Sequence, residues 1–137
     1  MGLILDSSIV IAAERRRETA EQLIQRIFTT FGDQPAALSA VSLTELVHGI
    51  YRAPVAEIRL RRQSFLNDLL RDCVVYPYAK ETALLAGQLD AEQQSRGVII
   101  PFTDLLIGAT ALSLGFSLLT VNTRHFERIP GLKVITF

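Results

Sequence analysis

The chain has 137 residues, 49% of them hydrophobic, with 14 Lys+Arg against 14 Asp+Glu. That length carries one domain, 1–137, with a real core, and the apolar content excludes a disordered tail. The balanced charge excludes any global argument for nucleic acid, so a case for one must be local.

Met1 runs straight into Leu3-Ile4-Leu5 without a basic stretch, so no cleavable leader is expected. Leu3-Ile4-Leu5 is a continuous apolar run of the kind found in central parallel strands, and it ends in Asp6-Ser7-Ser8. A helix begins at Ser7 or Ser8. Helical spacing follows through Ile9, Val10 and Ala13, and again through Leu23, Ile24, Ile27 and Phe28, until Gly32-Asp33-Gln34-Pro35 breaks the chain. Ala36 to Val41 reads as a second strand, with Ser42 as cap of the next helix, Leu43 to Ile50. On that helix Leu43, Leu46, Val47 and Ile50 share a face, and Glu45 points nearly opposite it. An exposed glutamate and a cleft-lining ligand both fit this placement, and periodicity leaves the two open.

After Ala53-Pro54, Val55 to Arg71 reads as an amphipathic helix, with Ile58, Leu60, Phe65, Leu66, Leu69 and Leu70 on its apolar side. Cys73-Val74-Val75-Tyr76 is a third strand. Cys73, the single cysteine, rules out an internal disulfide and fits a reducing cytoplasm. Lys80 to Arg96 is a further helix with Leu84, Leu85 and Leu89 inward, ended by Gly97 as a left-handed cap. Pro101 stops the chain ahead of another helix, opened by Thr103 or Asp104 and apolar or small on every face beyond. Asp104 suits the positive end of that helix, as a cap or as a functional carboxylate. The apolar run from Leu105 to Val121 is broken by Thr110, Ser113, Gly115 and Ser117. It falls short of the roughly 20 residues of a spanning helix, so no membrane contact is expected. Ser117 to Val121 and Val134 to Phe137 complete five strands.

Strands alternating with helices predict an α/β fold with a parallel sheet and helices on both sides. Sites in such sheets gather at the carboxyl ends of the strands. Asp6 ends the first strand, Glu45 follows the second, Asn122 ends the fourth, and Asp104 opens a helix that aims at the same edge. Clustered carboxylates repel one another unless a cation sits between them, and hard oxygen donors suit Mg²⁺ or Mn²⁺. Such an ion activates water and neutralises charge on a phosphodiester under in-line attack. With one cysteine, and with His48 and His125 in unrelated segments, zinc is not expected. His48, three residues after Glu45, reads as a solvated surface residue. No Gly-x-Ser-x-Gly elbow and no phosphate-cradling Gly-rich loop occurs.

Four segments carry a resemblance. They are Leu5-Asp6-Ser7-Ser8, Ser42 to Gly49 around Glu45, Ile100 to Ala109 around Asp104, and Leu119 to Leu132 around Asn122. Together, in this order and across nearly the whole chain, they resemble the PIN-domain family, specifically the VapC toxins of bacterial toxin–antitoxin pairs. The resemblance implies a three-layer α/β/α sandwich and a Mg²⁺- or Mn²⁺-dependent endoribonuclease that cleaves structured RNA. It further implies a homodimer silenced by a cognate antitoxin. By motif, Asp6, Glu45 and Asp104 are the implied metal-binding carboxylates, and Asn122 stands where many members carry a fourth acid. Ser7 and Thr120 match small hydroxyl positions that support the carboxylates. Arg15-Arg16-Arg17 and Arg59, Arg61 and Arg62 are the local basic clusters available for phosphate, although such runs are ordinarily solvated faces. The rival readings are a non-catalytic PIN-like adaptor and a doubly wound phospho-receiver. The latter needs a second acid beside Asp6, where Ser7 and Ser8 stand.

Overall fold

Short apolar strands leave the fold no choice but to bury both faces of its sheet. The computed structural model describes residues 1–137. Five strands form one parallel sheet: β1 (Leu3–Leu5), β2 (Ala36–Ser39), β3 (Val74–Tyr76), β4 (Ser117–Thr120) and β5 (Val134–Thr136). Their order is β3-β2-β1-β4-β5. Leu3 of β1 registers with Ala36 of β2 on one side and Ser117 of β4 on the other. Side chains alternate along each strand. Leu3, Leu5, Leu38 and Leu119 therefore join one apolar layer, while Ile4, Ala37 and Leu118 join the other.

Helices α1 (Ser7–Arg15), α2 (Ala20–Phe31), α3 (Ala40–Tyr51) and α4 (Ala56–Asp72) supply Ile9, Leu23, Leu46 and Leu69 to the first layer. Helices α5 (Lys80–Ser95), α6 (Phe102–Leu114) and the single turn α7 (Thr123–Phe126) supply Leu89, Ile107 and Phe126 to the second. The result is the expected three-layer α/β/α sandwich. No helix is long and apolar enough to cross a membrane.

Several boundaries differ from the sequence reading, each for a local reason. β2 stops at Ser39, which caps α3 directly by accepting the Ser42 N–H at 3.0 Å. Ser42 is thus inside the helix, fully buried, and the core-facing stripe is Ser42-Leu46-Ile50. Val47 lies exposed, and Glu45 sits on the flank, about 100° round from Leu46. Pro101, not Thr103, occupies the cap position of α6, and no side chain bonds the open end. On α5 the buried face is Thr82, Ala86, Leu89 and Gln93, which turns Leu84 outward. The apolar count missed this because two of the four buried positions are polar. Gln93 is satisfied by donating to the Arg128 carbonyl at 2.9 Å. Leu60 of α4 and Phe28 of α2 are likewise exposed. Between α1 and α2 the chain turns through Arg17 at φ +61°, and Thr19 with Gln22 forms a capping box. Gly97 adopts the left-handed conformation expected of it.

The strand order reverses direction at β1: β2 and β3 lie to one side of it, β4 and β5 to the other. The crevice at the carboxyl ends of β1 and β4 is therefore the place where a doubly wound sheet presents a site.

Candidate active site

Asp6 is the first residue beyond β1. Its N–H donates to the Leu119 carbonyl at 2.9 Å, which fixes it against the end of β4. It occupies the cap position of α1, yet its carboxylate makes no capping bond. The carboxylate is instead held from the side. Ser8 Oγ donates to Oδ2 at 2.6 Å and Thr120 Oγ1 donates to the same oxygen at 2.8 Å. Oδ1 accepts no bond within the chain, and no unpartnered side-chain oxygen is sealed from solvent, so Oδ1 opens to the crevice. Thr120 is itself fully buried and accepts the Asn122 N–H at 2.9 Å.

Glu45 reaches the same crevice from the flank of α3. Ser7, the first residue of α1, donates its Oγ to Glu45 Oε1 at 2.9 Å. Asp104 comes from the first turn of α6, where the helix dipole favours a carboxylate. His125 of α7 meets it, with Nδ1 3.0 Å from Oδ2.

Burial pushes the Glu45 carboxyl above its usual range. The Ser7 hydroxyl partly opposes this, and the charges of Asp6 and Asp104 add to it. Burial likewise raises Asp104; His125 pulls the other way and the Asp6 charge pushes up again. The three carboxylates thus lie within each other's fields, and no Lys or Arg pairs with any of them. Like charges so arranged call for an external cation.

No three His, Cys, Asp or Glu side chains stand close enough together, as they lie, to hold an ion between them. The bearing on a metal is therefore in the donor chemistry: oxygen donors fit a hard cation that keeps several of its waters, and do not fit zinc. On that chemistry the residues present suit Mg²⁺ or Mn²⁺.

The sequence-predicted residues fare as follows. Asp6, Glu45, Asp104, Ser7 and Thr120 all reach one rim. Asn122 stands two residues past Thr120 at the carboxyl end of β4, exposed; its backbone N–H donates to Thr120 Oγ1 at 2.9 Å and its carbonyl accepts the His125 N–H at 3.1 Å, while its side chain makes no bond within the chain. Two residues that touch the carboxylates were not singled out from sequence, Ser8 and His125. Ser8 was legible in principle, two residues after an aspartate at a helix start; the His125 contact spans 21 residues and carries no local signal. The basic clusters are partly engaged within the chain. Arg61 pairs with Glu14 at 2.7 Å and Arg62 donates to the Gly49 carbonyl, while Arg59 donates to the Tyr51 carbonyl and stays exposed. Arg16 pairs with Glu18 at the surface, so Arg15, Arg16 and Arg17 all face solvent.

A parallel sheet with helices on both faces and hydroxyl-braced carboxylates at its switch point defines the class: a doubly wound α/β protein whose site lies at the strand ends. Within that class a family model described as PIN domain matches residues 3–132, and the chain belongs to the PIN-domain family. It is similar to Ribonuclease VapC1 of Rickettsia felis, 33% identical over 136 residues, covering 99% of this chain and 96% of that protein. It is also similar to the tRNA(fMet)-specific endonuclease VapC of Salmonella typhimurium, 30% identical over 97 residues, covering 70% of this chain and 71% of that one. Among solved structures, VapBC-1 from nontypeable Haemophilus influenzae superposes with a TM-score of 0.80 at 26% identity, covering 99% of this chain and 98% of that chain. The VapBC2 complex of Rickettsia felis bound to a promoter DNA fragment matches the fold, with a TM-score of 0.87 at 24% identity, covering 100% of this chain and 99% of that chain.

Proposed function

We propose that this protein is a Mg²⁺- or Mn²⁺-dependent endoribonuclease toxin that hydrolyses phosphodiester bonds of structured RNA in the cytoplasm and is neutralised by a cognate antitoxin. The observation that carries the reading is the group of three carboxylates, with Glu45 and Asp104 both raised by burial and by the charge of Asp6, and no Lys or Arg paired with any of them. Full-length similarity to a VapC ribonuclease supports the substrate class.

In this mechanism Asp6, Glu45 and Asp104 would hold the ion. When bound, it supplies a Lewis acid for the phosphate oxygen and lowers the pKa of the attacking water. Ser8 and Thr120 fix Asp6 through Oδ2 and leave Oδ1 free to ligate. Ser7 fixes Glu45 in the same way through Oε1. The water oxygen bonds to phosphorus as the P–O bond to one ester oxygen breaks; the water gives up a proton to solvent or to a rim carboxylate, and the leaving oxygen takes one from solvent to depart as a hydroxyl. Asn122, uncharged, lines the rim without adding to the repulsion, so the charge present suits one ion better than two.

An apolar groove between α1, α3 and α4, floored by Val10, Leu46, Ile50, Phe65 and Leu66, runs up to Glu45. Its apolar floor and polar margin suit an antitoxin segment laid as a helix. Exposed Leu84, Ile99 and Phe102 provide apolar area for a homodimer contact.

The test is to sequence RNA ends after the protein is expressed alone, beside Asp104→Asn and beside chelated lysate. Cleavage confined to the unaltered protein with metal supports the reading. Equal cleavage by Asp104→Asn removes that residue from the chemistry. A non-catalytic adaptor would give no new ends and no rise in melting temperature with Mn²⁺.

A further inference from the structure

Asp104 lacks what Asp6 has. No hydroxyl from a strand end braces it, and its one partner is the imidazole of His125. The structure assigns His125 as a positioning residue for the ion: its Nδ1, 3.0 Å from Oδ2, holds Asp104 by one oxygen and leaves the other for the ion. This rests on the metal-dependent nuclease reading and concerns a residue that reading does not use.

Three observations carry it. First, the contact is direct: Nδ1 stands 3.0 Å from Oδ2. The ring is half exposed, at 51% of its side-chain area, so it is not there as core packing. Second, the segment bearing it is docked firmly for so short an element. Phe126 beside it is fully buried, Ile129 is buried, and Arg128 is gripped twice: Gln93 donates to its carbonyl at 2.9 Å, and its guanidinium donates to the Ile99 carbonyl at 3.0 Å. Third, α6 makes room for that docking with Gly108, one turn beyond Asp104 on the same face. A Cβ there would lie 2.3 Å from Ile129 Cδ1. The glycine lets the segment after β4 lie against α6, and this close approach brings the imidazole to Asp104. Outer partners that orient a ligating carboxylate are part of a metal site's affinity.

The test is the calorimetric affinity of the chelator-stripped, full-length protein for Mn²⁺ alone, in the unaltered chain and in His125→Ala, His125→Asn, His125→Gln and Asp104→Asn. Asparagine places an amide N–H where Nδ1 stands; glutamine places one where Nε2 stands. The expected result is a Kd raised by about 10-fold or more in His125→Ala and His125→Gln, with His125→Asn restored to within about threefold of the unaltered chain. Metal-free melting temperatures of the three His125 variants should stay with that of the unaltered chain, since the ring is half exposed. An unchanged Kd in His125→Ala, or no recovery in His125→Asn, overturns the assignment while leaving the nuclease reading standing. Failure of the unaltered chain to bind Mn²⁺ any better than Asp104→Asn overturns both. If His125→Ala does not fold, the Asn and Gln variants decide between the same outcomes.

Discussion

Asp6 and Asp104 face the same crevice but are held by opposite means. Asp6 is 4% exposed and takes two short hydroxyl bonds, one from its own helix start and one from the neighbouring strand. Asp104 stands in the first turn of a helix whose open end no side chain caps, and answers to one half-exposed imidazole. The first carboxylate is built into the sheet and can change only if the sheet changes. The second is set by how a one-turn helix packs on α6, so its position can be altered with the sheet intact.

Breaking the rigid half should cost the most. Thr120→Val removes one bond to Asp6 and strands the Asn122 N–H beside a methyl group. The expected loss is about 1–3 kcal/mol of stability by denaturant unfolding, with a fall in cleavage beside it. On the adjustable half, Gly108→Ala drives a methyl into Ile129. Because the atom met is the free end of the Ile129 side chain, it should cost only about 1 kcal/mol, the low end for overpacking, and weaken Mn²⁺ binding through the displaced segment.

A smaller effect sharpens the electrostatic side. Glu45 has its pKa raised by burial first and by the two aspartates besides. The folded state therefore holds that proton more tightly than the unfolded chain. Its contribution favours folding below the ordinary glutamate range and is lost as pH rises through the raised folded value. Metal-free Glu45→Gln should therefore melt above the unaltered protein at pH 7. The gap should narrow as pH falls into the carboxylate range; a gap that widens would contradict the sign. For the same reason protons should displace Mn²⁺ from the unaltered protein as pH falls. The smallest change is expected from Asn122→Asp, which should leave cleavage equal or modestly raised under limiting Mg²⁺. A large loss there would give the amide a role of its own.

What could be read beforehand follows the same division. Asp6 was legible because continuous apolar runs mark central strands, and a polar residue at such a run's end marks the site edge; Thr120 came only from the family resemblance. Glu45 was legible as to helix but not as to target. Its flank position became clear only once Ser42, a polar residue, proved to head the buried stripe. Thr82 and Gln93 hid the true face of α5 in the same way, because each is buried with its polar group satisfied by a partner distant in sequence. His125 was beyond reach: its contact depends on where Phe126 and Ile129 dock, and no local pattern encodes that. The arginines of α4 looked free in sequence, and the fold binds them to Glu14 and to backbone carbonyls.

The most direct measurement is the Mn²⁺ binding isotherm of chelator-stripped protein compared with Asp6→Asn, Glu45→Gln and Asp104→Asn, each checked for folding by circular dichroism. Saturable uptake by the unaltered chain, weakened in all three folded variants by about 100-fold or more, is the result expected for residues that ligate directly, since even an outer partner accounts for 10–100-fold. Uptake undiminished in Glu45→Gln, or no uptake by the unaltered chain, would contradict a shared three-carboxylate ion site.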